Sequence, residues 1–205
     1  MNSIEIVEKG ETISWEEITE VIHDAYLERE KQNLHFAAYK STPEDNAQKI
    51  LDGKCFVALD GKKVVGLVFL RCPSWPYLTK NDGKGKWYCD EKYGMVINLA
   101  VKEEYKGNGI GRKLLERLIE ECKKQKLDSK MIDTSSKLKG LNKFYSGFGF
   151  KKVDYISWHT TNYYTIVRRL NLNGKIYNNI YRYMRYYFSK IKTLITININ
   201  GQKRF

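Results

Sequence analysis

The sequence predicts a mixed α/β domain, one curved β-sheet flanked by helices over residues 1–170, followed by a basic helical tail over residues 171–205. Three observations predict it. Strand-like and helix-like hydrophobic periods alternate along the first part of the chain. One apolar strand runs through a glycine-rich turn into a strongly amphipathic helix. Acidic residues stop at Asp154, so the end of the chain differs in composition from the rest.

Composition narrows the class. Hydrophobic residues at 42% and charged residues at 29% of 205 support a packed core. Only 3 prolines and 15 glycines exclude collagen-like and low-complexity chains. No apolar run approaches the roughly 18 residues of a membrane-spanning helix. Met1-Asn2-Ser3-Ile4-Glu5 lacks the basic and apolar regions of a secretory signal. Cys55, Cys72, Cys89 and Cys122 form no CxxC pair, and only three histidines accompany them. Buried or free thiols are expected, with no disulfide frame and no metal, and the cytoplasm is the expected compartment.

The elements follow in order. Ile4 to Val7 is a short strand. Ser14 with Glu17 three residues on forms a capping box, and Ile18, Val21, Ile22, Ala25 and Tyr26 line one face of a helix. Ser41-Thr42-Pro43-Glu44-Asp45 starts a second helix, expected to end at Gly53. Cys55 to Leu59 and Lys63 to Arg71 form a hairpin across Asp60-Gly61. Pro73 to Lys86 is a loop, and Met95 to Val101 a strand with Met95, Ile97, Leu99 and Val101 expected on one face. Ile110, Leu114, Leu115, Leu118, Ile119 and Cys122 line the amphipathic helix. A strand from Lys130 to Thr134, a helix from Leu138 to Phe148, and a hairpin of Lys152–Trp158 with Tyr163–Leu170 complete the domain.

The sharpest motif is Lys106-Gly107-Asn108-Gly109-Ile110-Gly111-Arg112, between strand and helix. Glycines let backbone close around a ligand, and the first N–H groups of a helix have no internal partners. With the positive end of the helix dipole they make an anion site suited to a pyrophosphate. A P-loop needs GxxxxGK[ST], and no Gly-Lys-Ser/Thr occurs. A dinucleotide turn needs GxGxxG, but Arg112 and Leu114 stand three residues after Gly109 and Gly111. An ordinary strand–helix turn is the bland alternative on this motif alone.

A second segment follows, Phe144-Tyr145-Ser146-Gly147-Phe148-Gly149-Phe150. Together the two resemble the GNAT N-acetyltransferases, whose acetyl-CoA site pairs a Q/R-x-x-G-x-G/A turn with a later helix carrying Tyr and Gly-Phe. Gly109, Gly111, Tyr145 and Gly149-Phe150 match that pattern. Lys106 stands for the Gln/Arg, and Leu138 for an Asn common seven residues before the tyrosine. The resemblance spans roughly residues 3–170 in element order.

The resemblance implies an acetyl-CoA-dependent transfer to a small-molecule or peptide amine, with no metal. The strand before the turn would splay from its neighbour, and main-chain groups of Leu99, Ala100 and Val101 would meet the pantetheine arm and the oxyanion. Lys106, Gly107, Asn108, Gly109, Ile110, Gly111 and Arg112 would hold the pyrophosphate. Tyr145 would protonate the departing thiolate; a phenol with a pKa of about 10 nearly matches a thiol in acidity. Ile97 and Asn98 stand where many relatives carry a Glu base, leaving Asp90, Glu91, His159, or water as candidates. His23 and His35 read as structural and solvated. Trp75-Pro76-Tyr77 could wall the acceptor pocket or cap the sheet edge.

The net charge of +12 belongs mostly to the tail. The last 51 residues carry nine basic groups and no acid, against 27 basic and 24 acidic groups before them. Ile176, Ile180, Met184, Tyr187, Ile191, Leu194 and Ile195 follow helical spacing, with Arg182, Arg185, Ser189 and Lys192 opposite. Such a helix suits an anionic membrane surface, nucleic acid, its own domain, or a second subunit in a homodimer. Two other functional classes therefore stand beside the enzyme: a nucleic-acid-binding protein, and a non-catalytic CoA-binding domain.

Overall fold

The computed structural model describes residues 3–51, 53–71, 93–158 and 161–173. The loop with Trp75, Pro76 and Tyr77, the candidate bases Asp90, Glu91 and His159, the thiols Cys72 and Cys89, and the tail from residue 174 lie outside them.

The elements are β1 (Glu5–Glu8), α1 (Trp15–Lys31), α2 (Pro43–Gln48), β2 (Gly53–Asp60), β3 (Lys63–Arg71), β4 (Tyr93–Val101), α3 (Ile110–Lys124), β5 (Ser129–Ser135), α4 (Lys139–Gly147), β6 (Lys151–Ser157) and β7 (Tyr164–Asn171). This is the predicted order, with two 3-10 turns added among the described residues, at Ala37–Lys40 and Glu103–Tyr105. The seven strands form one mixed sheet in the order β1-β2-β3-β4-β5-β7-β6. Only β4 and β5 are parallel; β7 inserts between β5 and β6.

Helices cover both faces. Ile110, Leu114, Leu115 and Leu118 of α3 pack with Phe56, Val65, Val68 and Val96. Ile18, Val21 and Ile22 of α1 pack with Val57, Leu67, Phe69 and Ala100. Each such fully buried aliphatic side chain contributes roughly 1.5–3 kcal/mol. Local signals agree with this packing. Both helix starts carry the full capping box, Ser14 with Glu17 and Thr42 with Asp45. Cys55 and Cys122 are buried free thiols, the former pushed up to about 12 by burial.

Two expectations are corrected. α2 stops at Gln48, not Gly53, and Gly53 opens β2. Its role there is close approach: a Cβ on Gly53 would stand 2.2 Å from the Leu70 carbonyl oxygen. The second correction concerns β4. Its register against β3 shifts by one residue between the Leu67↔Ala100 and Phe69↔Ile97 pairs, so Asn98 and Leu99 together oppose Val68. This is a β-bulge, with Asn98 at φ +48°, a left-handed conformation that Asn tolerates better than most residues. The bulge reverses the alternation: Met95 and Ile97 share one face, while Leu99 and Val101 join Val96 on the other. The four residues expected on one face are therefore split.

Candidate active site

The bulge sits where the sheet opens. β4 and β5 pair from Tyr93↔Ser129 to Val96↔Ile132 and no further. Beyond that point β5 continues only with β7, through Asp133↔Val167 to Ser135↔Thr165. On the far edge of β4, Lys102 N–H donates to the Val65 carbonyl at 2.9 Å. Antiparallel alternation then turns the main chain of Ala100 toward β3 and that of Leu99 and Val101 into the gap. A cleft of about 670 Å³ fills this gap.

The mouth of the cleft is the glycine turn. Gly107 and Gly109 have φ of +82° and +74°, so backbone sense alternates and successive N–H groups face one side. Gly109 is the N-cap of α3 and offers no side chain to the first N–H groups. The first turn of α3 carries no acidic residue. The residues present therefore fit a pyrophosphate: donors without internal partners at the positive end of a 15-residue helix. Leu99, Ala100, Val101, Lys106, Gly107, Gly109, Ile110, Gly111 and Arg112 all border the cleft. Asn108 does not; its side chain braces the turn by donating to the Tyr105 and Lys106 carbonyls at 3.2 and 3.3 Å. Lys106 is ion-paired with Glu103, and Arg112 with Glu116 at 3.5 Å while lying over the Phe148 ring. The turn is anchored by Tyr105, whose hydroxyl donates to Asp60 at 3.0 Å, and by Glu103 N–H, which donates to Asp24 of α1 at 2.9 Å.

The inner end is built from side chains. Tyr145 lies on the buried face of α4 and borders the cleft. Phe150 returns after the helix end to pack edge-on against it at 6.0 Å. α4 is itself fixed to β7. Buried Arg168 donates to Asn142 Oδ1 at 3.0 Å and to Ser146 Oγ at 3.2 Å, while Asn142 Nδ2 donates to the Ser135 and Leu138 carbonyls. Asn142 thus holds the helix, and Leu138 borders the cleft.

Burial pushes the Tyr145 phenol well above its ordinary value, with Tyr26 and Asp133 adding to the rise and Arg29 opposing it. The near match to a thiol expected from an unperturbed phenol is corrected accordingly. Tyr26 is pushed up to about 12 by burial, with Arg29 opposing and Asp133 adding.

Sequence reasoning did not single out Asp133. Among the described residues bordering the cleft it is the one carboxylate, placed just past the last β4–β5 pair. Its one sequence mark is its place after Met131-Ile132, 12 residues before Tyr145, in a strand that is otherwise polar. Arg29 was also missed, although it follows Ala25 by four residues and continues the apolar stripe of α1. His23 is structural, its Nε2 lying 2.9 Å from the Ser41 carbonyl, and His35 Nδ1 meets Glu30 at 3.0 Å.

Known proteins share this architecture. An acetyltransferase of Staphylococcus aureus Mu50 superposes with a TM-score of 0.62 at 21% identity, covering 83% of this chain and 100% of its own. The ribosomal-protein-S18-alanine N-acetyltransferase of Escherichia coli does so at 0.60 and 15%, covering 86% and 100%. A GNAT acetyltransferase of Elizabethkingia anophelis, solved with acetyl-CoA bound, gives 0.56 and 18%, covering 84% and 100%. An uncharacterized N-acetyltransferase of Dictyostelium discoideum is 41% identical over 56 residues, which is 27% of this chain and 26% of that protein. The family profile described as "Acetyltransferase (GNAT) family" matches residues 15–150, about two thirds of the sequence. With a parted sheet, a glycine turn and a buried tyrosine in the order that family shares, the chain belongs to the GNAT acetyltransferases.

Proposed function

We propose that the protein transfers an acetyl group from acetyl-CoA to an amine by direct attack in a ternary complex. The observation that carries this reading is the parting of β4 from β5, with backbone donors at one end of the gap and Tyr145 with Asp133 at the other. When bound, acetyl-CoA supplies an activated acyl thioester. The N–H groups from Gly107 to Arg112 hold its phosphates, and the main chain of Leu99 and Val101 pairs with its amide-bearing arm as a neighbouring strand would. The Leu99 N–H points toward the reacting end, where negative charge develops on oxygen. Asp133 takes the proton of the incoming amine, and Tyr145 delivers one to the departing sulfur.

Incubating the protein with acetyl-CoA and a panel of primary amines, while following free thiol, tests the reading directly. Amine-dependent thiol release is expected, and Asp133→Asn should lower kcat about 100- to 10,000-fold and remove the acidic limb of the pH–rate profile. Absence of release with every amine class overturns the reading. An unchanged profile in Asp133→Asn removes that residue from the proton path.

A further inference from the structure

The end of the cleft farthest from the glycine turn has its own architecture. Tyr26 and Arg29 come from α1, Phe36 from the loop after it, Arg71 from the end of β3, and Trp158 and Tyr163 from the segments flanking the last hairpin turn. Tyr26, Phe36 and Tyr163 stand ring against ring, with centroids 5.2 and 4.9 Å apart. Asn162 clamps this corner: its side chain donates to the Asn33 carbonyl at 2.7 Å and accepts from His35 N–H at 3.2 Å. The wall is therefore built in advance, aromatic on one side and cationic on the other.

Arg29 differs from the cations at the mouth. Lys106 and Arg112 have carboxylate partners, whereas the half-buried Arg29 guanidinium makes no hydrogen bond or ion pair among the described residues. A guanidinium bordering a cleft without a paired carboxylate has its donors open to one, and its planar fork matches that group. Asp133, Arg29 and Tyr145 border the same cleft, so an anion and a cation share its wall with the tyrosine.

We infer that the acceptor is an amine bearing its own carboxylate, an amino acid with an apolar side chain, whose carboxylate sits on Arg29 while its amine faces Asp133. The inference rests on the amine acetyltransfer proposed above. The ring wall takes the apolar side chain.

Matched acceptors test this. Phenylalanine, its methyl ester and phenethylamine are compared by kcat/KM from thiol release, in the wild-type protein and in Arg29→Gln and Arg29→Lys. The wild type should favour phenylalanine over both partners by about 10- to 100-fold, the value of a charge-assisted hydrogen-bonded pair. Arg29→Gln should collapse that ratio to near one through KM, and Arg29→Lys should recover part of it. Because the readout is a ratio, a general loss of activity does not imitate the effect. Preference for the ester or for phenethylamine, or a ratio indifferent to Arg29, overturns the carboxylate assignment and leaves acetyltransfer standing. Thiol release with no acceptor of any class defeats both.

Discussion

At the mouth of the cleft the proposed binding groups are main-chain N–H groups from one continuous stretch, Gly107 to Arg112. At the inner end they are side chains from six separate places: α1, the loop after it, β3, β5, α4 and the last hairpin. The difference teaches what each end can recognise. A backbone turn reads only shape and charge, which suits a cosubstrate shared by many reactions. Side chains drawn from distant elements can be exchanged one at a time, which suits recognition of one particular molecule.

The largest expected effect strikes the inner end. Tyr145→Phe should lower kcat about 100- to 10,000-fold while calorimetry finds a much smaller change in acetyl-CoA affinity. Equal kcat on an accepted amine would break the division of labour, because Tyr145 would then be only a wall. At the mouth the perturbation must act through backbone. A Cβ on Gly109 meets nothing within 4 Å, but its φ of +74° is poorly tolerated by a branched residue. Gly109→Val should therefore cost about 1–3 kcal/mol, or roughly 5- to 150-fold, in acetyl-CoA affinity. Circular dichroism should show the fold intact; full affinity in the folded variant would show that the turn does not hold the phosphates.

The smallest effect separates burial for chemistry from burial for packing, on one strand. Lys130 lies in the paired half of β5, fully buried, with no nitrogen or oxygen partner for its Nζ. Burial holds its pKa down to about 7, with the Cys122 thiol partly opposing the fall. A depressed lysine binds fewer protons folded than unfolded, so stability rises with pH between about 7 and 10.5. Lys130→Met should stabilise the fold by about 1–3 kcal/mol at pH 6, and denaturant titrations should find that advantage shrinking by pH 10. An advantage independent of pH would mean that the ammonium stays charged in the folded protein.

What the sequence disclosed follows the same division. Ser14, Thr42, the glycine turn and the Tyr145–Gly149–Phe150 spacing are local signals, readable within a few residues, and the element order follows from them. Asp133 and Arg29 owe their place in the cleft to tertiary approach, although Arg29 left a mark as a charge on the apolar stripe of α1. The tie between Asn142 and Arg168 spans 26 residues and has no periodic signature at all. The phase of β4 was misread for another reason. Alternation is an assumption of regular pairing, and a bulge is invisible to it.

That bulge makes chain length itself a functional variable. Removing Asn98 would let β4 pair straight through, with Leu99, Ala100 and Val101 keeping both their faces and their places opposite Val68, Leu67 and Gly66. What would go is the extra residue itself, and with it the bend and added twist that a bulge gives the strand just where it leaves β5. Every other side chain in Tyr93–Val101 could stay in place through such a change, and the sheet would still lose the bend at the point where it opens. Between the sheet interior and the glycine turn, the domain can trade residue identities far more freely than it can trade a single residue of spacing.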